Sequence, residues 1–353
     1  MRRGLVSFLF LLAIPMGAVA AQVEGRVSGD FVYEVAPYPS AHASTVVETV
    51  DGLVVAWFGG TAEGEPDVGI WLSRYQGAGW LKPTEVATGV QNDGSRHPCW
   101  NPVLFQPSNG PLLLFYKVGP SPREWWGMVR TSTDNGRTWS GPIRLPDGVL
   151  GPIRAKPVEL RSGTLLAGSS TEHDGWVVQM ELFHTDARTD GDWRRDLSSS
   201  DAWSLVGPLN DSYEYEAIQP TVLVHSPSKL QILCRTRQGV ITEVWSHDGG
   251  LTWGSMLPTD LPNPNAGIDA LRLVDGRFLL VYNPVARGRN RLAVAVSDDG
   301  HVWRLGLVLE NAADGEYSYP AMVQSLDGLI HVTYTWKRQR IKHVVFDPSE
   351  SMG

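Results

Sequence analysis

Ser132-Thr-Asp-Asn-Gly-Arg-Thr-Trp139 recurs position by position in Ser246-His-Asp-Gly-Gly-Leu-Thr-Trp253, and the shared pattern S-x-D-x-G-x-T-W predicts a repeated fold. The Asp side chain can accept backbone N–H groups of a turn, and the Gly can adopt a positive φ. The Trp can pack between neighbouring sheets. We call this motif an Asp-box, and it predicts a hairpin turn with a scaffold role rather than a catalytic one.

Two weaker copies extend the repeat. One begins with Ser297-Asp-Asp-Gly300 and reaches Trp303, and a worn copy runs from Ser73 to Trp80. The first serines of the four copies are 59, 114 and 51 residues apart, and the middle interval covers two units. A period of roughly 50 to 60 residues is typical of one β-propeller blade.

The strands between the boxes predict six blades. The first strand of each blade is expected to begin near His42, Asn101, Lys156, Gln219, Asp269 and Tyr319. The last blade lacks a fourth strand, which Phe31–Val35 can supply, and this pairing would close the ring without a free sheet edge. The sequence thus predicts an all-β, six-bladed propeller with Asp-box turns and very little helix, closed by an N-terminal strand, as one domain over residues 22–353.

The N-terminus reads as a secretory signal. Met1-Arg-Arg3 is followed by an apolar run, Leu5–Ala18, and by the small-x-small sequence Ala18-Val-Ala20. A basic start, a short apolar core and small residues before the cleavage point are typical of a signal peptide. We predict that residues 1–21 are removed, that the protein is secreted or periplasmic, and that no other segment spans a membrane.

Charge and cysteine content narrow the function classes. The chain has 30 Lys+Arg and 38 Asp+Glu, a net charge of −8, so it has no overall field that would attract nucleic acid. Cys99 and Cys234 fall in non-neighbouring predicted blades, which favours two separate buried thiols. Metal-ligand spacings and Gly-rich phosphate loops are missing from the sequence, so we expect no metal and no cofactor. We also expect a monomer.

The beginnings of the first strands are candidate ligand contacts. First strands line the central channel of a propeller, and their starts meet at one end. Asn101, Lys156, Gln219 and Tyr319 are each followed by proline, and all are polar. Polar side chains of several blades that meet on one axis predict a ligand pocket.

At these positions the chain resembles the sialidase family, over nearly all of residues 22–353. Tyr317-Ser-Tyr-Pro320 is similar to the segment that opens the last sialidase blade, which implies Tyr317 as the nucleophile. Glu216, at the start of blade 4, is implied as the base that activates the tyrosine, with Glu214 as an alternative.

The same resemblance implies an arginine cluster. Leu230–Arg237 is similar to the strand that carries the second arginine of the sialidase triad, which implies Arg235, with Arg237 as the alternative. Tyr282–Leu292 is similar to the segment of the third arginine, which implies Arg289. Sialic-type sugars carry a carboxylate, and planar guanidinium groups bind carboxylates bidentately. A neutral tyrosine paired with a glutamate avoids repulsion between nucleophile and substrate, and sialidases are the tyrosine exception among glycosidases.

The resemblance implies the general acid less directly than the nucleophile. The sialidase acid is an Asp on a loop of blade 1, and here the loop offers Glu63 as first choice, with Glu65 and Asp67 open. Sialidases begin blade 1 with Arg-Ile-Pro, whereas this chain has Ala41 and His42 at the first two positions. The first triad arginine is therefore missing from its usual place.

Three side chains are open as substitutes for that arginine: Arg96, His97 and Lys156. The candidate substrate contacts are Arg235, Arg289, His42, Asn101, Lys156, Gln219, Asp269 and Tyr319, and the catalytic candidates are Tyr317, Glu216 and Glu63.

The resemblance implies a secreted exo-glycosidase that releases a terminal acidic sugar from a glycan or polysaccharide. The first alternative is a polysaccharide lyase, in which His42 or His97 and Tyr317 or Tyr319 remove a proton next to a uronate. The second is a glycan-binding propeller without activity.

Overall fold

The computed structural model describes residues 26–184 and 192–350, and it is a six-bladed β-propeller. The predicted signal peptide at 1–21 lies outside the described residues and stays a prediction. Within the described ranges, the helices are too short and too polar to cross a bilayer.

Each blade is a four-stranded antiparallel sheet. Blade 1 consists of β2 Ser40–Thr49, β3 Gly52–Gly60, β4 Gly69–Arg74 and β5 Thr84–Ala87, and blade 2 of β6 Cys99–Phe105, β7 Leu112–Val118, β8 Trp126–Ser132 and β9 Ile143–Arg144. Blade 3 consists of β10 Val158–Glu159, β11 Leu165–Thr171, β12 Val177–Phe183 and β13 Trp203–Val206, and blade 4 of β14 Ala217–Val224, β15 Leu230–Thr236, β16 Val240–Ser246 and β17 Leu257–Pro262. Blade 5 consists of β18 Asp269–Arg272, β19 Phe278–Tyr282, β20 Arg291–Ser297 and β21 Arg304–Asn311, and blade 6 of β22 Tyr317–Gln324, β23 Ile330–Trp336, β24 Arg340–Phe346 and β1 Arg26–Phe31.

The N-terminal strand closes the ring, as predicted, but with different residues. β1 pairs with β24 over Arg26–Phe31, upstream of the predicted Phe31–Val35. The apolar residues after Phe31 serve another purpose, since Tyr33 stacks on Trp57 with ring centroids 5.0 Å apart. The residues after Phe31 therefore pack as a wedge between blades 6 and 1, and the prediction that they form the closing strand was wrong.

The core is divided among the blade interfaces. Six apolar clusters are found in the described part of the chain. Each lies between two neighbouring blades, and the cluster of blades 1 and 2 also includes Tyr319 of blade 6. The first strands β2 and β22 contact each other across the closure, so the packing continues around the ring. A short helix, α1 Trp193–Ser198, and a 3-10 turn, Ser200–Ala202, lie between β12 and β13. Cys99 and Cys234 are buried free thiols.

The Asp-boxes are turns held by their own side chains. In the first, Ser132 Oγ accepts from the Gly136 amide at 2.9 Å, and Asp134 accepts from the Thr138 amide at 2.8 Å and its hydroxyl at 2.6 Å. The box at Ser246 repeats all three bonds. These bonds confirm the scaffold role predicted for the motif.

Four first strands share one irregularity near their start. Ala43, Asn101, Gln219 and Tyr319 each have a positive φ, between 40° and 57°, inside a β-bulge. The predicted start His42 is thus one residue before its blade's bulge. A bulge bends the strand and redirects a side chain, and non-glycine residues at positive φ are uncommon and often lie at functional sites.

Replacement of one Asp-box carboxylate should lower thermal stability. The Asp299 carboxylate accepts from the His301 and Val302 amides, each at 2.8 Å. Both bonds lower the pKa of Asp299, and the bond from Val302 has the larger effect. We expect Asp299→Ala to lower the Tm by about 2–5 °C at neutral pH.

The exposed neighbour Asp298 is the matched control, and Asp298→Ala should leave the Tm within about 1 °C. Because a lowered pKa adds stability only above the unfolded value, the Asp299→Ala deficit should shrink as the pH falls below about 4. Calorimetry across pH measures both effects, and equal Tm values for the two variants would contradict the role of the box.

Candidate active site

Tyr319 lies at the centre of one end of the channel, which we call the mouth. The first strands begin at this end, and the hairpins between second and third strands meet there too. Tyr319 is only 8% exposed, and its hydroxyl lies 2.5 Å from Arg235 Nη1. The ring of His42, from blade 1, is 4.2 Å away, centroid to centroid.

Three arginines from different blades surround the Tyr319 ring. The guanidinium carbon of Arg154, in the crossing from blade 2 to blade 3, is 5.3 Å from the ring centroid. Those of Arg235 and Arg289 are each 5.5 Å away. Arg154 is almost fully buried, and it donates to the carbonyls of Ile268, at 3.0 Å, and Pro320.

The segment before blade 5 holds these groups in place. Asn265 accepts from Arg235 Nε through its side chain at 2.8 Å and from Arg235 Nη2 through its carbonyl at 2.7 Å. The same carbonyl accepts from Arg289 Nη2 at 3.2 Å. Gly267 allows close contact, because a Cβ there would lie 2.9 Å from Arg154 Nε and 3.2 Å from the Tyr319 ring. The arginines are therefore positioned before any ligand arrives.

The arginines change the acidity of Tyr319. Burial would raise the pKa of its hydroxyl, but the charges of Arg235 and Arg289 outweigh burial and lower the pKa below its usual value. Tyr317 behaves in the opposite way, since burial and then the carboxylates of Glu310 and Asp314 raise its pKa. Of the two tyrosines, Tyr319 is the one whose anion the protein stabilises.

His42 is a neutral imidazole beside this cluster. Burial and then the charge of Arg338 and its neighbours hold its pKa well below the ordinary histidine range. Its Nδ1 lies 2.8 Å from the Thr335 hydroxyl. Its Nε2 is buried, with no hydrogen-bond partner among the described residues. A buried polar atom without a partner costs free energy and calls for an explanation, such as an unseen ligand.

A fourth arginine lies at the edge of the mouth. Arg338, in the hairpin between β23 and β24, pairs with Glu63 of blade 1 and lies 3.4 Å from Glu316. Glu316 is also 3.6 Å from Arg289. The carbonyl of Arg338 accepts from the amide of Ala41, the residue that the sequence resemblance aligns with the first sialidase arginine. We refer to Arg154, Arg235, Arg289 and Arg338 as the arginine cluster.

The expected Tyr317–Glu216 pair is not formed. The Tyr317 side chain packs in the apolar interface of blades 5 and 6. Glu216 instead pairs with Arg237 at 2.7 Å. The register explains this, because Tyr317 is equivalent to the core residue Ala217, whereas Tyr319 is equivalent to Gln219 at the bulge. The resemblance thus selected a tyrosine two residues away from the one at the mouth.

Other predicted contacts lie in or near the channel, and Gln219 among them bonds to the arginine cluster. Lys156 Nζ is 3.4 Å from Asp269, and the Asp269 carboxylate also accepts from the Met322 amide at 2.8 Å, so it ties blades together. Lys156 and Asp269 line a separate cavity formed where the first strands end. Asn101 is buried at its bulge, and Gln219 accepts from Arg235 at 3.1 Å.

The remaining candidates on blade 1 and its neighbour have local partners. Asp67 closes its loop by accepting from the Thr61 amide and hydroxyl, at 2.9 and 2.7 Å. Arg96 donates to the Asp67 carbonyl at 2.8 Å, and His97 packs edge-on against Trp126. Of the candidate acids and arginine substitutes, Glu63 alone contacts the arginine cluster within the described ranges.

Sequence reasoning missed Arg154, Glu316 and Arg338, whereas the segment 262–268, which holds Asn265, was expected at the mouth and lies there. The signal that could have pointed to Arg338 is its place in a hairpin equivalent to that of Arg237 in blade 4, since the Lys337 amide donates to the Glu316 carbonyl as the Arg237 amide donates to that of Glu216; the residue aligned with Arg338 is Gln238. Arg154 had no such signal, because it lies in a crossing loop outside the repeat. The described residues contain no cluster of three or more His, Cys, Asp or Glu side chains that could hold a metal ion.

Comparison with known proteins agrees with this architecture. The sequence profile of the BNR repeat-like domain matches residues 51–332. No curated protein matches the chain.

Among solved structures, a Hadza microbial sialidase has a TM-score of 0.75 at 16% identity, covering 91% of this chain and 68% of the other. A protein of unknown function from Dyadobacter fermentans has a TM-score of 0.72 at 17% identity, covering 92% and 99%. An intramolecular trans-sialidase from Ruminococcus gnavus, in complex with oseltamivir carboxylate, has a TM-score of 0.71 at 12% identity, covering 93% and 99%. At these identities the likeness shows the fold.

Removal of one guanidinium should raise the pKa of Tyr319. In Arg235→Met the Tyr319 hydroxyl loses its hydrogen-bond partner at 2.5 Å, which is also its nearest positive charge. Burial, which raises the pKa of Tyr319, then outweighs the remaining charges. The ultraviolet difference titration of tyrosinate, taken between each protein and its Tyr319→Phe counterpart, isolates this single hydroxyl.

Arg237→Met is the control, because Arg237 pairs with Glu216 and packs on Trp176. It should leave the Tyr319 titration nearly unchanged. The account of the cluster fails if Arg235→Met titrates like the wild type.

Proposed function

We propose that this chain, which belongs to the BNR repeat-like domain family, is a glycan-acting enzyme of the sialidase type that cleaves a terminal acidic sugar. One observation carries the proposal: a buried tyrosine with a lowered pKa lies among guanidinium groups at the mouth of a propeller channel. Guanidinium groups bind carboxylates strongly, and a stabilised tyrosinate is a nucleophile.

The arginine cluster supplies the carboxylate contacts. Arg289 and Arg338 are partly exposed and are bridged by Glu316, so a sugar carboxylate can take the place of that bridge. Arg338 comes from blade 6 and takes the role of the arginine missing at Ala41. Arg235 and Arg154 are more deeply buried and act on Tyr319.

Tyr319 is the proposed nucleophile. As the tyrosinate, its oxygen forms a bond to the anomeric carbon as the glycosidic C–O bond breaks. Glu63 leaves its pair with Arg338 when the sugar carboxylate binds that guanidinium, takes up a proton from solvent and donates it to the departing oxygen. Glu63 then takes a proton from a water molecule, which attacks the same carbon, breaks the bond to Tyr319 and restores the tyrosinate. This sequence retains the anomeric configuration. The arginines, rather than a paired glutamate, lower the cost of ionising the tyrosine.

A lyase is the second candidate, and His42 favours it. Its neutral ring lies against Tyr319, and its buried Nε2 lacks a partner in the described part of the chain. A base of this kind could remove a proton next to a uronate whose charge the arginines neutralise. Elimination creates a C=C bond conjugated to the carboxylate, so ultraviolet absorbance on a polyuronate would favour a lyase, and its absence together with sugar release would favour hydrolysis.

Tyr319→Phe should lower kcat on an aryl glycoside of an acidic sugar by about 10³-fold, because the nucleophile is lost. Tyr317→Phe is the matched control, and it should keep activity within about threefold, since its ring packs in a blade interface. Initial rates for both variants measure the difference, and the assignment of Tyr319 is wrong if the two lose activity to the same extent.

Arg338→Met should raise KM for the acidic sugar by roughly tenfold or more, since a charge-assisted contact to the carboxylate disappears. Lys337→Met is the control in the same hairpin, because Lys337 pairs with the exposed Asp314 at 3.2 Å. Equal KM values for the two variants would remove Arg338 from the proposed carboxylate site.

A further inference from the structure

A second concave surface lies on the mouth side, between blades 2 and 3. Its volume is about 240 Å³, and its lining includes Arg123, Trp125, Trp126, Arg144, Glu172 and His173. These residues come from the hairpin after β7, the loop that follows β9 and the hairpin after β11. All three segments lie at the end of the blades where Tyr319 is found. We call this surface the Trp cleft.

The two tryptophans are half-buried and supported from behind. Trp125 packs edge-on against Trp100, with ring centroids 6.0 Å apart. Trp126 packs edge-on against His97, at 5.6 Å, and carries the Arg144 guanidinium 5.0 Å from its centroid. Aromatic rings that are braced on one side and line a cleft on the other are suited to stacking on a flat ligand face.

The cleft also carries hydrogen-bond donors. Arg123 and Arg144 are exposed in its lining. Arg144 is 3.5 Å from Asp147. This ion pair is exposed to solvent, so a ligand can replace it at little cost in free energy. Donors beside stacking rings suit a pyranose, which has apolar faces and a polar edge.

One short loop joins the Trp cleft to the arginine cluster. Thr171, Glu172 and His173 form a wall of the cleft. A few residues on, the Trp176 ring lies under the guanidinium groups of Arg235 and Arg237, 5.7 and 4.1 Å from its centroid.

Glu172 responds to charges on both sides of that loop. Burial raises its pKa, and Arg235, Arg237 and, more weakly, Arg123 oppose the rise. The loop therefore lies within electrostatic reach of Arg235 in the arginine cluster and of Arg123 in the Trp cleft.

We propose that the Trp cleft binds the next sugar of the glycan, with its ring stacked on Trp125 and its substituents bonded to Arg123 or Arg144. The inference rests on the proposed function, because it assumes that the terminal acidic sugar occupies the arginine cluster. It adds a preference for extended glycans over simple glycosides.

The test compares a short and a long substrate that carry the same acidic sugar. The probes are methyl α-sialoside, which has no second sugar, and the trisaccharide sialyllactose. We expect Trp125→Ala to lower kcat/KM for sialyllactose by about tenfold, and to leave that for the methyl sialoside within about twofold. Trp125→Phe should restore most of the activity on sialyllactose, since it keeps an aromatic face.

Leu326→Ala is the surface control, since Leu326 is exposed in the hairpin between β22 and β23, at the opposite end of the blades. It should change neither value. An equal loss on both probes in Trp125→Ala would mean a structural role and would overturn the subsite, and so would no loss on either.

Calorimetric binding to Tyr319→Phe and to Tyr319→Phe/Trp125→Ala separates this proposal from the enzymatic one. If the wild type hydrolyses neither probe, but Tyr319→Phe binds sialyllactose about tenfold more tightly than Tyr319→Phe/Trp125→Ala does, the Trp cleft is supported and the proposed reaction is wrong. If the wild type hydrolyses methyl sialoside and the two Tyr319→Phe variants bind sialyllactose equally tightly, the proposed reaction is supported and the Trp cleft is wrong. Failure of both probes to bind would overturn the cleft as well.

Discussion

The propeller ring is closed by blade 6, which combines strands from the two ends of the described chain. β1 pairs with β24, and the first strands β2 and β22 pack across the same junction. Because β1 completes blade 6 from the other end of the described chain, six similar blades are held around one axis, and loops far apart in the chain meet at one end of it. Arg154, Arg289 and His42 come from different blades and become neighbours of Tyr319 only through this closure.

The repeat made the fold predictable from sequence. The Asp-boxes need particular residue types for particular hydrogen bonds, so their spacing revealed the blade length, and the strands between them gave the blade count. The bounds of the closing strand were less accessible, because the alternating Phe31–Val35 segment suits a wedge between blades as well as a strand. The six-residue helix in blade 3 also had no clear pattern.

The mouth was predictable in outline and not in detail. Channel geometry pointed to Gln219 and Tyr319, and the resemblance pointed to Arg235 and Arg289, and the structure brings these four together. The resemblance also chose Tyr317, because in a regular strand residues two apart share a face. The positive φ of Tyr319 breaks that regularity and separates the two side chains. A backbone feature of this kind is not visible in residue types.

The missing first arginine shows what a closed ring allows. A charge near the axis is not bound to one position in the sequence, because hairpins of all blades end near the same point. Ala41 leaves the usual place vacant, and its amide bonds to the carbonyl of Arg338, which brings a guanidinium to the mouth from the opposite side of the junction. Buried guanidinium groups are costly without a counter-charge. Within the protein the Tyr319 hydroxyl, whose pKa these charges lower, contacts Arg235, and an acidic ligand would supply a counter-charge.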